Sequence, residues 1–193
     1  MLDAITWLLH GHVFTTAMTG NTVLLGVALL SHNPQQAMRH FLSLTTFVCG
    51  IGFGWWLLHR FSAAARAHRI ALLVQILALT AAGCAPPGFP SEPLIVLIAF
   101  TASVQIASFQ RIENITYNTT FVTGNVRNLV EAAFDIRLPE KRVQRMQQIR
   151  VLLPVCVGFA VGVLIGALAA PRTNNHSFWL ATLPLIAALL LLR

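Results

Sequence analysis

Charged residues are scarce in this chain: 13 Lys plus Arg and 6 Asp plus Glu among 193 residues, 10% in all, against roughly 25% in an average soluble domain. A mean hydropathy of +0.70 leaves too few polar side chains to cover a soluble globule of this size. The surrounding solvent is therefore read as largely lipid. Acidic residues are the scarcer sign, and the resulting net charge of +7 would point to nucleic acid in a soluble protein. Here the cations sit between apolar runs and no stretch interleaves basic with aromatic residues, so no nucleic-acid partner is expected. Cysteine is limited to Cys49, Cys84 and Cys156, which form neither a disulfide framework nor a paired metal spacing. Also missing are a Gly-rich phosphate loop, a nucleophile beside a base, and a carboxylate pair at a meaningful spacing. The expectation is no enzyme, no catalytic residue, no cofactor and no metal; His10 and His12 near Asp3 lack a fixed third ligand. A basic n-region before the first apolar run is absent as well, which argues against a cleaved signal peptide.

What is present is a series of apolar segments at about 2–30, 41–58, 70–85, 93–110, 117–134, 151–169 and 177–192. A spanning helix takes about 20 residues. The first segment is too long for one simple span, and the fifth, with Arg127, Asn128, Glu131 and Asp135, is amphipathic. An internal repeat accounts for both. Residues 14–29 (FTTAMTGNTVLLGVAL) align without gaps on 118–133 (NTTFVTGNVRNLVEAA), with seven of sixteen positions identical and a shared T-T-x-x-T-G-N. About thirty residues beyond each copy comes a small-residue helix, Gly50 and Gly54 in the first and Gly158, Gly162 and Gly166 in the second, whose GxxxG spacing reads as helix packing.

Orientation follows from Lys and Arg. The loop at 59–69 holds Arg60, Arg66 and Arg69 and the connection at 86–93 holds none, so the first is read as cytoplasmic and the second as external. The basic stretch 135–150, with Arg137, Lys141, Arg142, Arg145 and Arg150, stays cytoplasmic only if the segment at 117–134 does not cross. The same logic brings the first Thr-Gly-Asn segment in from the outer face and inverts the second copy, as in many secondary transporters. Trp55, Trp56, Tyr117 and Trp179 fall at segment ends, where amphipathic rings favour the interface. The sequons at Asn114, Asn118 and Asn175 read as accidental, and the histidines other than His10 and His12 read as loop-edge residues.

The expected fold is thus all-α: a single membrane domain over 1–193 with about six transmembrane helices, the first shortened. It comprises two inverted repeats, about 1–85 and about 93–193, each with a broken or re-entrant Thr-Gly-Asn segment. A helix broken inside a membrane offers N–H groups and a positive dipole end to a ligand. On that reading Thr19, Gly20, Asn21, Thr123, Gly124 and Asn125 line a substrate site, and Arg127 is a counter-charge for an anion. The other reading of the same residues is close helix packing with interhelical hydrogen bonds, with Arg127 and Glu131 an ordinary solvated pair four residues apart.

These motifs resemble those of the YoaK family of bacterial multi-pass membrane proteins, a domain of unknown function. The resemblance rests on Asp3-Ala4, on Met18 to Gly26 (MTGNTVLLG) and on Thr120 to Arg127 (TFVTGNVR), and it covers nearly the whole chain. Family members carry about a span's worth of residues before the Asp-Ala pair, so a start upstream of Met1 or a shortened first helix is expected. The resemblance implies multi-pass location in the bacterial cell (inner) membrane and supplies no substrate. The function expected from architecture is a secondary transporter or permease of a small solute, with the bilayer and that solute as partners and room for a homo-oligomer. The alternative is a non-transporting scaffold or subunit that binds another helical membrane protein through its GxxxG seams.

Overall fold

A computed structural model describes residues 1–61, 64–112, 115–117, 122–138, 140 and 142–192. Asn114, Asn118, Thr120, Phe121 and Lys141 lie outside the described residues. The regular structure is helical: α1 (Leu2–Leu9), α2 (Met18–Leu30), α3 (Pro34–Arg60), α4 (Ala64–Gly83), α5 (Ser91–Ser108), α6 (Val122–Asp135), α7 (Arg142–Thr173) and α8 (Ser177–Leu191). Beside these stand a 3₁₀ turn at Asn174–His176 and a two-residue antiparallel ladder, β1 (Arg111–Ile112) on β2 (Ile115–Thr116). Among the described residues four stretches are long and apolar enough to cross a membrane: Pro34–Arg60, Ala65–Gly83, Ser91–Ser108 and Arg142–Leu191. The last has 50 residues, about 75 Å at 1.5 Å per residue, and the 3₁₀ turn divides it into α7 and α8.

Local chemistry sets the helix ends. α2 closes with a Schellman motif in which Asn33 N–H donates to Ala28 O at 3.0 Å and His32 N–H to Leu29 O at 3.3 Å, with His32 left-handed at φ +54°. Asn33 then caps α3, its side chain accepting from Gln36 N–H at 3.1 Å with Pro34 at the first helical position. One residue thus ends a helix and starts the next, which makes α2 and α3 a tight hairpin.

The chain forms two compact units, Met1–Ser108 with Val163–Arg193, and Phe109–Gly162. This partition cuts across the two sequence repeats, since the second repeat contributes to both units. In the first unit α5 is the centre, with eleven of its eighteen residues buried. α3 packs along it through Gly50 and Gly54. A Cβ at Gly50 would lie 2.6 Å from Phe100 O and against Ser103 Oγ, and one at Gly54 would lie 2.7 Å from Ala107 Cβ. Those contacts, with Arg39 bonded to Glu92 at 2.8 Å, run in the same order along both helices, so α3 and α5 are parallel. α4 returns antiparallel along α5, His68 Nε2 lying 2.9 Å from Ser108 O. α8 is antiparallel to α4: Arg69 donates to Leu192 O at 2.9 Å at one end, and Trp179 Nε1 donates to Thr80 O at 3.2 Å at the other. In the second unit Asp135 at the end of α6 pairs with Arg145 near the start of α7 at 2.6 Å.

Candidate functional site

Both Thr-Gly-Asn triplets occupy the first turn of a helix, α2 and α6. In the first unit the helix break precedes the triplet, in the irregular stretch between Leu9 and Met18. The left-handed positions there are Gly11 at φ +72° and His12 at φ +56°, whereas Gly20 and Gly124 have no positive φ. Gly20 instead makes room: a Cβ there would sit 3.0 Å from the Phe14 ring, which stacks on Trp7 at 4.7 Å.

The irregular stretch is held by side chains. Asp3, in the first turn of α1, accepts from Thr15 N–H at 2.7 Å, Thr16 N–H at 2.8 Å, Thr15 Oγ1 at 3.2 Å and Thr16 Oγ1 at 2.5 Å. Four donors on one carboxylate make a strong charge-assisted anchor. Asn21 brackets the peptide of Phe14: its Oδ1 accepts from Phe14 N–H at 3.1 Å and its Nδ2 donates to Phe14 O at 2.5 Å. From α3, Ser43 Oγ accepts from Asn21 Nδ2 at 3.0 Å and donates to Phe14 O at 2.7 Å.

His40, also on α3, closes the network. Gln36 Nε2 donates to Gly11 O at 2.6 Å and also lies 3.0 Å from His40 Nε2. An amide nitrogen only donates, so Nε2 of His40 accepts and Nδ1 carries the proton. That Nδ1–H points at Asn21 Oδ1, 3.2 Å away. Asn21 is fully buried at 0% exposure, and both oxygen lone pairs and both N–H groups are engaged. It has no hydrogen-bonding capacity left for a solute.

The remaining candidates are dispersed. Thr19 is exposed beside this cluster. In the second unit Thr123 is exposed, a Cβ at Gly124 would meet open space, and Asn125 is buried. Arg127 pairs with Glu131 at 2.8 Å, with the arginine side chain 79% exposed. Of the other glycines, Gly158 faces open space, Gly162 is half-buried, and Gly166 is closed by Met1 O, 2.7 Å from where a Cβ would sit.

Sequence reasoning did not reach Asp3's bonds to Thr15 and Thr16, nor the roles of Gln36, His40 and Ser43. His40 is not a loop-edge residue: it lies inside α3 and is 1% exposed. A signal exists, since Gln36, Arg39, His40 and Ser43 recur at i, i+3, i+4 and i+7 and so share one face of an apolar helix. Among the described residues no cluster of His, Cys, Asp and Glu is arranged to hold a metal.

The family described as "Protein of unknown function (DUF1275)" matches residues 1–191. The chain is 27% identical over 187 residues to the UPF0700 transmembrane protein YoaK of Bacillus subtilis (strain 168), covering 93% of this chain and 82% of that protein. No solved structure matches it. With a match along almost its whole length and four stretches able to cross a membrane, the chain belongs to the DUF1275 family, to which its likeness to YoaK also points.

Proposed function

We propose that the protein is a multi-pass carrier of the bacterial inner membrane, a secondary transporter or permease for a small solute rather than an enzyme. The observation that carries this reading is the stretch between Leu9 and Met18. Its peptide groups are held by Asp3, Asn21 and Ser43 against α3, a helix of spanning length. Non-helical backbone at membrane depth is tolerated only where protein or a water-filled cavity satisfies it, and broken helices of this kind form the substrate region of many carriers.

The topology supports an inverted pair of Thr-Gly-Asn segments. With Arg60, Arg66 and Arg69 cytoplasmic, the parallel helices α3, α5 and α8 all run inward and α4 runs outward. From Ser108, at the inner end of α5, to Asn174, before the outer end of α8, the chain crosses an odd number of times. α7 has 32 residues, about 48 Å, and suffices alone; α6 has 14, about 21 Å, short of the roughly 30 Å hydrocarbon core. α6 then stays cytoplasmic, while the stretch before α2 dips from the outer face and α2 returns to it.

Saturation of Asn21 moves solute contact away from the triplet itself and makes the triplet the fulcrum that holds the broken segment. It also favours the scaffold reading, as does the open space at Gly158 on α7. Uptake of a panel of radiolabelled small polar solutes into proteoliposomes, under an imposed sodium or proton gradient, tests the choice. Accumulation above protein-free vesicles is expected. No accumulation across the panel, from protein that is monodisperse and folded, would discard the carrier for the scaffold.

A further inference from the structure

A cavity of about 410 Å³ opens at one end of the first unit, lined by His10, Gln35, Arg39, Phe89, Glu92 and Asn175 among others. Four separate segments build it: the end of α1, the first turns of α3, the connection into α5, and the 3₁₀ turn before α8. This is the end opposite Arg60, Arg66 and Arg69, which the carrier reading assigns to the outside.

Its walls hold unspent polar capacity. His10 is 3% exposed and stacks on Phe178 at 5.8 Å, and apart from the Asn175 amide that bears on it nothing answers its buried ring nitrogens. Buried polar groups are rarely left so, and each one calls for an explanation. Arg39 uses Nε alone, donated to Glu92 Oε1 at 2.8 Å. Its guanidinium lies over Gly11, where a Cβ would collide with Nη1, so the left-handed glycine leaves space for the head group. Asn175 spends its Nδ2 on Ala85 O at 3.1 Å and Pro86 O at 3.4 Å, and its carbonyl oxygen, which bears on His10, keeps a second lone pair to accept.

We propose that this cavity binds a small zwitterion, an α-amino acid with a compact side chain, with its carboxylate on the Nη groups of Arg39 and its ammonium on Glu92 and Asn175 Oδ1. The neighbouring opposite charges decide the class. A simple anion meets Glu92 2.8 Å from its arginine, and a simple cation meets Arg39 at the same distance from its carboxylate. A molecule carrying both charges satisfies both walls. His10 backs the Asn175 amide and so sets the direction of its oxygen, and Phe89 gives an apolar surface to the side chain. The volume is within the range of small-molecule sites, about 300–1,000 Å³. The proposal deepens the carrier reading and rests on it for the face from which the solute arrives.

Thermal unfolding of the purified full-length protein in detergent is the test, with glycine, L-alanine and L-serine as probes and acetate and methylamine as half-probes. An amino acid at about a hundredfold excess over its Kd is expected to raise the midpoint by roughly 5–10 °C, while acetate and methylamine at the same concentration do nothing. Glu92→Gln and Arg39→Gln should abolish the rise. Should either fail to fold, His10→Phe keeps a ring on Phe178, removes both nitrogens, and should weaken binding at least tenfold. No rise for any amino acid up to about 10 mM, an equal rise with acetate, or an undiminished rise in His10→Phe would each overturn the site. Proteoliposome uptake separates the two proposals. Binding without uptake sinks the carrier and leaves the site, whereas uptake of another solute with no amino-acid stabilisation leaves the carrier and sinks the site.

Discussion

Asn21 acts by substituting for a neighbouring strand: its amide answers both the N–H and the C=O of Phe14 while Ser43 and His40 fill its remaining positions. Asn21→Ala therefore leaves buried partners unpaired and is expected to cost about 1–3 kcal/mol, seen as a lower unfolding midpoint and lower folded yield; wild-type stability in that variant would contradict the bracket. Arg127→Gln should leave the midpoint unchanged, because its pair with Glu131 is exposed. His10 sets a pH dependence. Burial holds its pKa below the ordinary histidine value and Arg39 adds to this, while the Asn175 amide acts the other way. The unfolded chain then binds the proton more readily, so stability is full above about pH 6.5 and declines as pH falls towards the folded pKa. Thermal unfolding between about pH 7.5 and 5 should show a steeper loss for wild type than for His10→Phe. The repeated triplet is legible in the sequence because repetition is a pattern. Its role is not, because the partners of Asn21 lie seven residues earlier on an irregular backbone and on a different helix, and letters carry no distances.

At the scale of elements, spacing alone does not say which glycines are seams. Gly50 and Gly54 are closed by α5 and Gly158 faces open space, though all share the same GxxxG motif. Gly50→Ala and Gly54→Ala are expected to separate α3 from α5 and lower the unfolding midpoint, because the atoms they meet include the backbone oxygens of Phe100 and Val104. Gly158→Ala should be neutral or stabilising by up to about 1 kcal/mol through helix propensity. Equal losses at all three positions would mean that α7 also packs through its glycine. The apolar runs locate α3, α4, α5, α7 and α8, but α3 starts at Pro34 and α7 at Arg142, some seven to nine residues before the runs at 41 and 151. Hydropathy stops where lipid stops, whereas backbone hydrogen bonding carries a helix on into the interface and water. The first run, 2–30, divides into α1 and α2 because the turn at Gly11 and His12 is set by backbone conformation, to which hydropathy is blind.

For the whole molecule, the carrier topology puts Ala65 and Gln147 on the same side. With Cys49, Cys84 and Cys156 replaced, single cysteines at both positions should be protected from an impermeant thiol reagent in intact cells and labelled after permeabilisation. Protection at only one would mean that α6 crosses, and the inverted arrangement would be lost. The first unit is also discontinuous, its two parts separated by Phe109–Gly162, and this bears on how the protein is made. The α4 surface that receives His176, Trp179 and Leu192 is synthesised well before α8. At about 5–20 residues per second, the ribosome spends roughly 3 to 10 s on the intervening stretch alone. For those seconds Arg69 has no Leu192 carbonyl, Gly83 has no His176, and the wall that Asn175 gives the cavity does not yet exist. On the amino-acid reading, a newborn chain is thus unable to hold its ligand until translation has passed α8, so a message truncated in the α7 region should yield a membrane-inserted product that lacks this wall of the cavity and is open to quality-control proteolysis.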